Sequence, residues 1–176
     1  MPDRALRLGA AAMAAGIAAF AGANTAHADN SALLAAYQGD WRGSGEARPN
    51  PQSEPMRVSC KISAVFDSSQ VALVNKGRCG STQGTRNLAG TLKASGEALT
   101  GEFLGNAAAQ GVVNQRMRVV DGMIVSEAEM ENSGKMLKLR TFLTPPKDGA
   151  FLVQSQFYDR AKQSWVVAGE IEFRKE

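Results

Sequence analysis

The sequence predicts an all-β fold, a single antiparallel up-and-down barrel of about ten strands, with eight as the alternative, entered through a short helical turn. Three observations carry that prediction. From Trp41 onward apolar and polar residues alternate with period two almost to the end of the chain, as in strands with one buried face. Turn pairs at Ser95-Gly96, Asp121-Gly122 and Ser133-Gly134 punctuate the alternation at hairpin spacing. No repeat, low-complexity tract or change of composition divides the chain after residue 28, so one domain is expected over 29–176.

The first 28 residues read as a secretory signal and stand outside the fold. Arg4 and Arg7 precede an Ala-rich apolar run over 8–23, and Ala26-His27-Ala28 supplies a small-x-small cleavage site. The run falls short of the roughly 20 apolar residues a membrane span needs. Removing 28 of 176 residues leaves 148, expected as a periplasmic or secreted protein with no transmembrane span. Loss of Arg4, Arg7 and Asp3 takes 20 basic and 17 acidic residues to 18 and 16. A balance of +2 does not point to nucleic acid. The signal also takes with it His27, the single histidine, and so the usual general base, zinc ligand and haem ligand.

Residues 33–38 read as a helical turn that breaks at Gly39 and launches the first strand at Trp41. That strand, 41–47, places Trp41, Gly43, Gly45 and Ala47 on one face. Small residues beside a tryptophan either let the strand bend or leave room for something inside, and both readings stay open. The stretch 48–55 holds Pro49, Pro51 and Pro55 and is a loop. Strands over 56–66 and 71–80 form a hairpin that brings Cys60 and Cys79, the only cysteines, to one face. In an exported chain such a pair reads as a disulfide. Direct opposition of the two needs a loop longer than two residues or a bulge nearby.

The next hairpin pairs strands over 88–92 and 99–103; a loop of Ser95 and Gly96 alone would oppose Leu92 to Leu99 and Leu88 to Phe103. Strands over 113–120, 123–130 and 135–143 follow. Their two turns predict Arg116 opposite Glu127, Glu127 opposite Arg140 and Glu129 opposite Lys138, an acidic strand between basic neighbours. The last two strands are 151–158 and 165–174, with Phe151, Val153, Ser155, Phe157 and Trp165, Val167, Gly169, Ile171, Phe173 expected inward.

Gly39-Asp40-Trp41 after a helical turn, with Arg174 at the end of the last strand, resembles the opening and closing of calycin barrels: lipocalins, fatty-acid-binding proteins and nitrobindin-like proteins. The resemblance implies that Gly39, Trp41 and Arg174 close the barrel floor and that the interior takes a small apolar or uncharged ligand. Arg174 can serve only if its strand has ended, because its parity is opposite to that of Ile171 and Phe173. There is no sequence for a helical lid, so the lidless barrels are the nearer match. A second resemblance covers residues 39–79. Gly-x-Trp followed by a disulfide hairpin is similar to the periplasmic inhibitors of secreted metalloproteases, and implies an extended N-terminal segment, here 29–33, that would enter a protease.

No Gly-x-Ser-x-Gly elbow, phosphate-binding loop or metal-spaced carboxylate cluster is present, and Glu46, Glu102, Glu127, Glu129, Glu170 and Glu172 all carry outward parity. The expectation is of a protein that is not an enzyme and needs no cofactor. The inward polar residues are Asn75, Gln115, Ser126, Thr141 and Ser155. With Gly43 and Gly45 they are candidates for lining a ligand, or they bond to each other in a filled barrel. Outside, Arg57, Lys61, Lys76 and Arg78 share one face of the disulfide hairpin without evident acidic partners. That patch suits an anionic envelope component, the alternative to a ligand held inside.

Overall fold

The computed structural model describes residues 30–96, 98–105, 111–132 and 134–176. The proposed signal, 1–28, lies outside them. One helix, α1 (Asn30–Ala36), precedes ten strands among the described residues: β1 (Gly39–Ala47), β2 (Met56–Asp67), β3 (Ala72–Ser81), β4 (Gly84–Ser95), β5 (Ala98–Gly101), β6 (Val112–Val120), β7 (Met123–Asn132), β8 (Lys135–Leu143), β9 (Ala150–Asp159) and β10 (Ser164–Lys175). Each strand pairs antiparallel with the next, and β10 returns to β1, so the meander closes into a barrel. Closure is thinnest between β5 and β6, where Leu99 opposite Met117 is the register pair.

The helix caps one end. Leu34 and Tyr37 are fully buried there, the Asn30 amide donates to the Gly96 carbonyl at 2.9 Å, and the Tyr37 hydroxyl donates to the Thr144 carbonyl at 2.8 Å. Burial pushes the Tyr37 phenol far above its ordinary pKa. Because residues 30–33 are helical, the extended segment implied by the inhibitor resemblance is not available in that stretch.

In the disulfide hairpin Asp67 opposes Ala72, so the loop is four residues long and Cys60 faces Cys79 directly, with Cα atoms 4.0 Å apart. The Asp67 carboxylate holds that loop by accepting from the Ser69 and Gln70 amides and the Ser69 hydroxyl. The following hairpin departs from expectation: Ser95 opposes Ala98, and Leu92 therefore faces Gly101 rather than Leu99. A shift of two keeps every side chain on its expected face. Beyond β5 the chain turns in under the barrel, where the Asn75 amide oxygen accepts from the Leu104 N–H at 3.1 Å.

The charge ladder has the expected register, Arg116 opposite Glu127, Glu127 opposite Arg140 and Glu129 opposite Lys138. The ion pair that forms is the diagonal one. Arg118 grips Glu127 through two hydrogen bonds of 2.9 and 3.1 Å, while the Arg140 guanidinium lies 4.2 Å from the Trp165 ring centroid and donates to Gln156. The bonds from Arg118, with weaker attraction from Arg140 and Arg116, hold the Glu127 carboxyl below its ordinary pKa. Its contribution to stability is thus present above the unfolded-state pKa and is lost as pH falls through the depressed folded one. A double-mutant cycle of Arg118→Ala and Glu127→Ala should give a small favourable coupling that shrinks in high salt; zero coupling at low salt would remove the pair from the account.

A β-bulge in β10 reverses one expected face. Val167 opposes Gln156 but Gly169 opposes Ser155, so Ala168 is the extra residue and the parity flips on either side of it. Trp165 and Val167, expected inward, point outward. Trp165 packs edge-on against Tyr158 at 5.4 Å, and Val167 is 43 % exposed. The bulge also serves the neighbouring loop, because the Ala168 carbonyl accepts from the Arg48 N–H at 2.7 Å.

Candidate functional site

The barrel interior divides into two halves of different character. Toward the helix it is solid. Leu34, Tyr37, Trp41, Ile62, Leu73, Leu92, Ile124, Leu143, Phe151 and Phe173 are all buried in one cluster. Phe151 stacks on Phe173 at 4.9 Å and meets Trp41 edge-on at 4.8 Å and Tyr37 at 5.2 Å, and the Trp41 indole N–H donates to the Tyr37 carbonyl at 2.8 Å. β1, β9 and β10 deliver the aromatic part of this cluster by carrying Trp41, Phe151 and Phe173 at the helix end.

Toward the other end the inward side chains are smaller and leave a cavity of about 630 Å³. Met56, Val58, Leu88, Leu139, Val153, Phe157 and Ile171 supply its apolar wall, and the disulfide borders it through Cys79. Ser81, Gln83 and Ser155 are its neutral polar groups, and Arg48, Arg86 and Glu131 its charged ones. A volume in this range holds a small organic ligand, and an apolar wall with few convergent polar groups is the composition such sites share.

Of the residues nominated from the sequence, Ser155 is the one on this wall. Gly43 and Gly45 are not. A Cβ on Gly43 would lie 2.5 Å from the Phe173 ring and one on Gly45 would lie 1.9 Å from the Glu170 carbonyl oxygen. The space beside them is taken up by close approach of β10, so the spare-room reading fails. Asn75 sits in the solid half, 1 % exposed, with its amide nitrogen unpartnered among the described residues. Gln115 donates to the Ser126 hydroxyl at 2.9 Å, and the Thr141 and Ser155 hydroxyls bond at 3.0 Å. Ser126, Thr141 and Ser155 thus have partners, as polar groups withdrawn from water must, whereas Gln115 is exposed rather than buried inside.

The barrel floor also differs from expectation. Trp41 and Gly39, whose φ is +136°, occupy it, but Arg174 does not. Its parity carries it outward to an ion pair with Glu172 at 2.6 Å. The cation over the Trp41 ring is Lys175, 5.7 Å from its centroid and directly opposite Trp41 across the β1–β10 pair. On the outer patch, Lys61 is not unpartnered as expected: its ammonium meets Glu176 at 2.9 Å, and Glu176 also meets Arg42 at 2.6 Å. Both cations hold the Glu176 carboxyl below its ordinary pKa. Arg57 lies opposite Glu46.

The cavity wall itself was missed. Met56, Val58, Leu88, Leu139 and Ile171 look in the sequence like any other core positions. The usable signal was confined to β2 and β10, where Met56, Val58 and Ile171 lie toward one end and Phe66 and Phe173 toward the other.

No family model and no curated protein matches the sequence. Solved structures do resemble the fold. The S-type phycobiliprotein lyase of Guillardia theta aligns over 82 % of this chain and 91 % of its own, with a TM-score of 0.55 and 10 % identity. Rv2717c of M. tuberculosis aligns over 85 % and 98 %, with a TM-score of 0.51 and 12 % identity. The expectation that the chain is not an enzyme does not survive this comparison. A protein named as a lyase is built on the same barrel, so the architecture gives no ground for excluding catalysis. What the chain shares with both structures is the fold, a closed antiparallel barrel.

Proposed function

We propose that the protein is an exported, lipocalin-like barrel that holds a small, largely apolar or uncharged molecule in its open half. The observation that carries this reading is the cavity of about 630 Å³, apolar-walled, above a solid aromatic floor. Filling the remaining space with side chains would have been the more stable solution, since empty apolar volume costs contact energy. The disulfide supports export to an oxidising compartment.

The test is uptake of a fluorescent apolar dye. Leu139 on β8 and Val58 on β2 face the cavity from walls four strands apart. Leu139→Trp with Val58→Trp should occupy that space and weaken dye binding by about tenfold or more. Since the new rings enter space that is already open, the cost in stability should stay below about 1.5 kcal/mol. Failure of the unaltered protein to bind any apolar dye, or unchanged binding by the doubly substituted one, would count against the reading. Gly45→Leu, which the sequence alone would have suggested, is a poor test, because the clash with the Glu170 carbonyl would unfold β1 whether or not a ligand binds.

A further inference from the structure

On the outside of the barrel, one row of cross-strand partners sets cation opposite cation over four strands. Along β6, β7 and β8 acids face bases. Along β10, β1, β2 and β3 the row reads Arg174, Arg42, Lys61, Arg78, each directly opposite the next. Like charges so opposed, about 5 Å apart by strand spacing, work against the fold. Lys76 stands next to Arg78 on the same face, opposite Ser63. Within the row the neutralising acids are Glu176, shared between Arg42 and Lys61, and Glu172, paired with Arg174. Asp40 opposes Ser63 at the side of this face, and Asp67 is engaged in its own turn. Arg78 and Lys76 are both exposed.

A second observation lies on the same face. Val65 and Val74 oppose each other at the helix end of β2 and β3 and both point outward, 59 % and 46 % exposed, while their neighbours Phe66 and Leu73 face in. A paired apolar tip beside a row of cations has no use for a soluble polyanion. At a lipid interface each part has a place: the valines enter the headgroup boundary, and the lysine and arginine heads meet phosphates while their stems cover apolar surface. Barrel curvature turns β10 away from a plane that touches β2 and β3, leaving Lys61, Lys76 and Arg78, with Arg42 at the edge, as the contacting cations.

We infer that the outer face of the β2–β3 hairpin docks on a bilayer of anionic phospholipid. The inference does not depend on the cavity. It is tested by co-sedimentation of the intact protein with phosphatidylcholine vesicles, with and without roughly one third phosphatidylglycerol. Binding should require the anionic lipid and be reversed by salt. A basic residue near such a surface contributes about fivefold, so Lys61→Ser with Arg78→Ser should weaken binding about 25-fold. Val65→Ser with Val74→Ser should weaken vesicle binding several-fold and leave binding to heparin unchanged, and Glu176→Gln, which releases two cations, should tighten it. All these residues are on the outer face, and circular dichroism should find each variant folded. Equal binding to neutral vesicles, indifference to either double substitution, or binding to heparin without binding to vesicles would overturn the inference, the last in favour of a soluble polyanion.

Discussion

Trp41→Ala is expected to destabilise the protein by about 3–5 kcal/mol, the range for removing a buried tryptophan. Trp41 is 1 % exposed and lies edge-on to Phe151, and its indole N–H satisfies the carbonyl of Tyr37, where the helix ends. Its loss would open a hole under the aromatic floor and free the helix cap. Trp165→Ala provides the contrast. That ring lies outside the barrel against Arg140 and Tyr158, so its removal should cost only about 1 kcal/mol. Urea unfolding of both variants separates the two, and comparable losses would contradict the division of the two tryptophans between core and outer surface. Quenching by iodide should likewise reach Trp165 and spare Trp41.

Reduction of Cys60–Cys79 is expected to cost about 3 kcal/mol, because the bond closes a loop over a sequence separation of 19. Cys60→Ala with Cys79→Ala should reproduce most of that loss without a reductant. The bond bridges β2 and β3 where Cys79 borders the cavity, so loosening it should also weaken dye uptake before the aromatic floor gives way. An unchanged unfolding midpoint in reductant would show that the register of this hairpin holds without the crosslink.

Much of the barrel was legible because strand periodicity is a local property. Alternation from Trp41, Asp121-Gly122 and Ser133-Gly134 placed β6, β7 and β8 in their observed register, and a two-residue turn leaves no freedom once its position is known. The disulfide followed from the single cysteine pair of an exported chain and from parity that puts both on one face, while its direct opposition needed the four-residue loop. Where the reading failed, the cause was one residue or one turn. Ala168 adds a residue to β10 and sends Trp165 outside; nothing in Val166-Val167-Ala168-Gly169 marks which residue will bulge, since the choice depends on how β9 and β1 pull on the strand. The β4–β5 turn settled one residue later than expected, which shifts the pairing by two, with Gly96 at a φ of +61°, and parity hid the slip.

The candidate site was less legible for a different reason. Gly43 and Gly45 invited the inference of free space, but what lies opposite a glycine depends on β10, more than 120 residues away in sequence. Arg174 and Lys175 exchanged roles because closure against β1 put Lys175, not Arg174, across from Trp41. By itself the sequence determined the fold class, the disulfide and which face of most strands is buried, since these follow from the pleat, from short turns and from a single pair of cysteines. The tertiary structure alone decided which half of the interior is filled and which is open, and which outward cations stand side by side. Those outcomes depend on the closing of β10 onto β1 and on side chains meeting across the barrel, contacts between residues distant in the chain that no local pattern encodes.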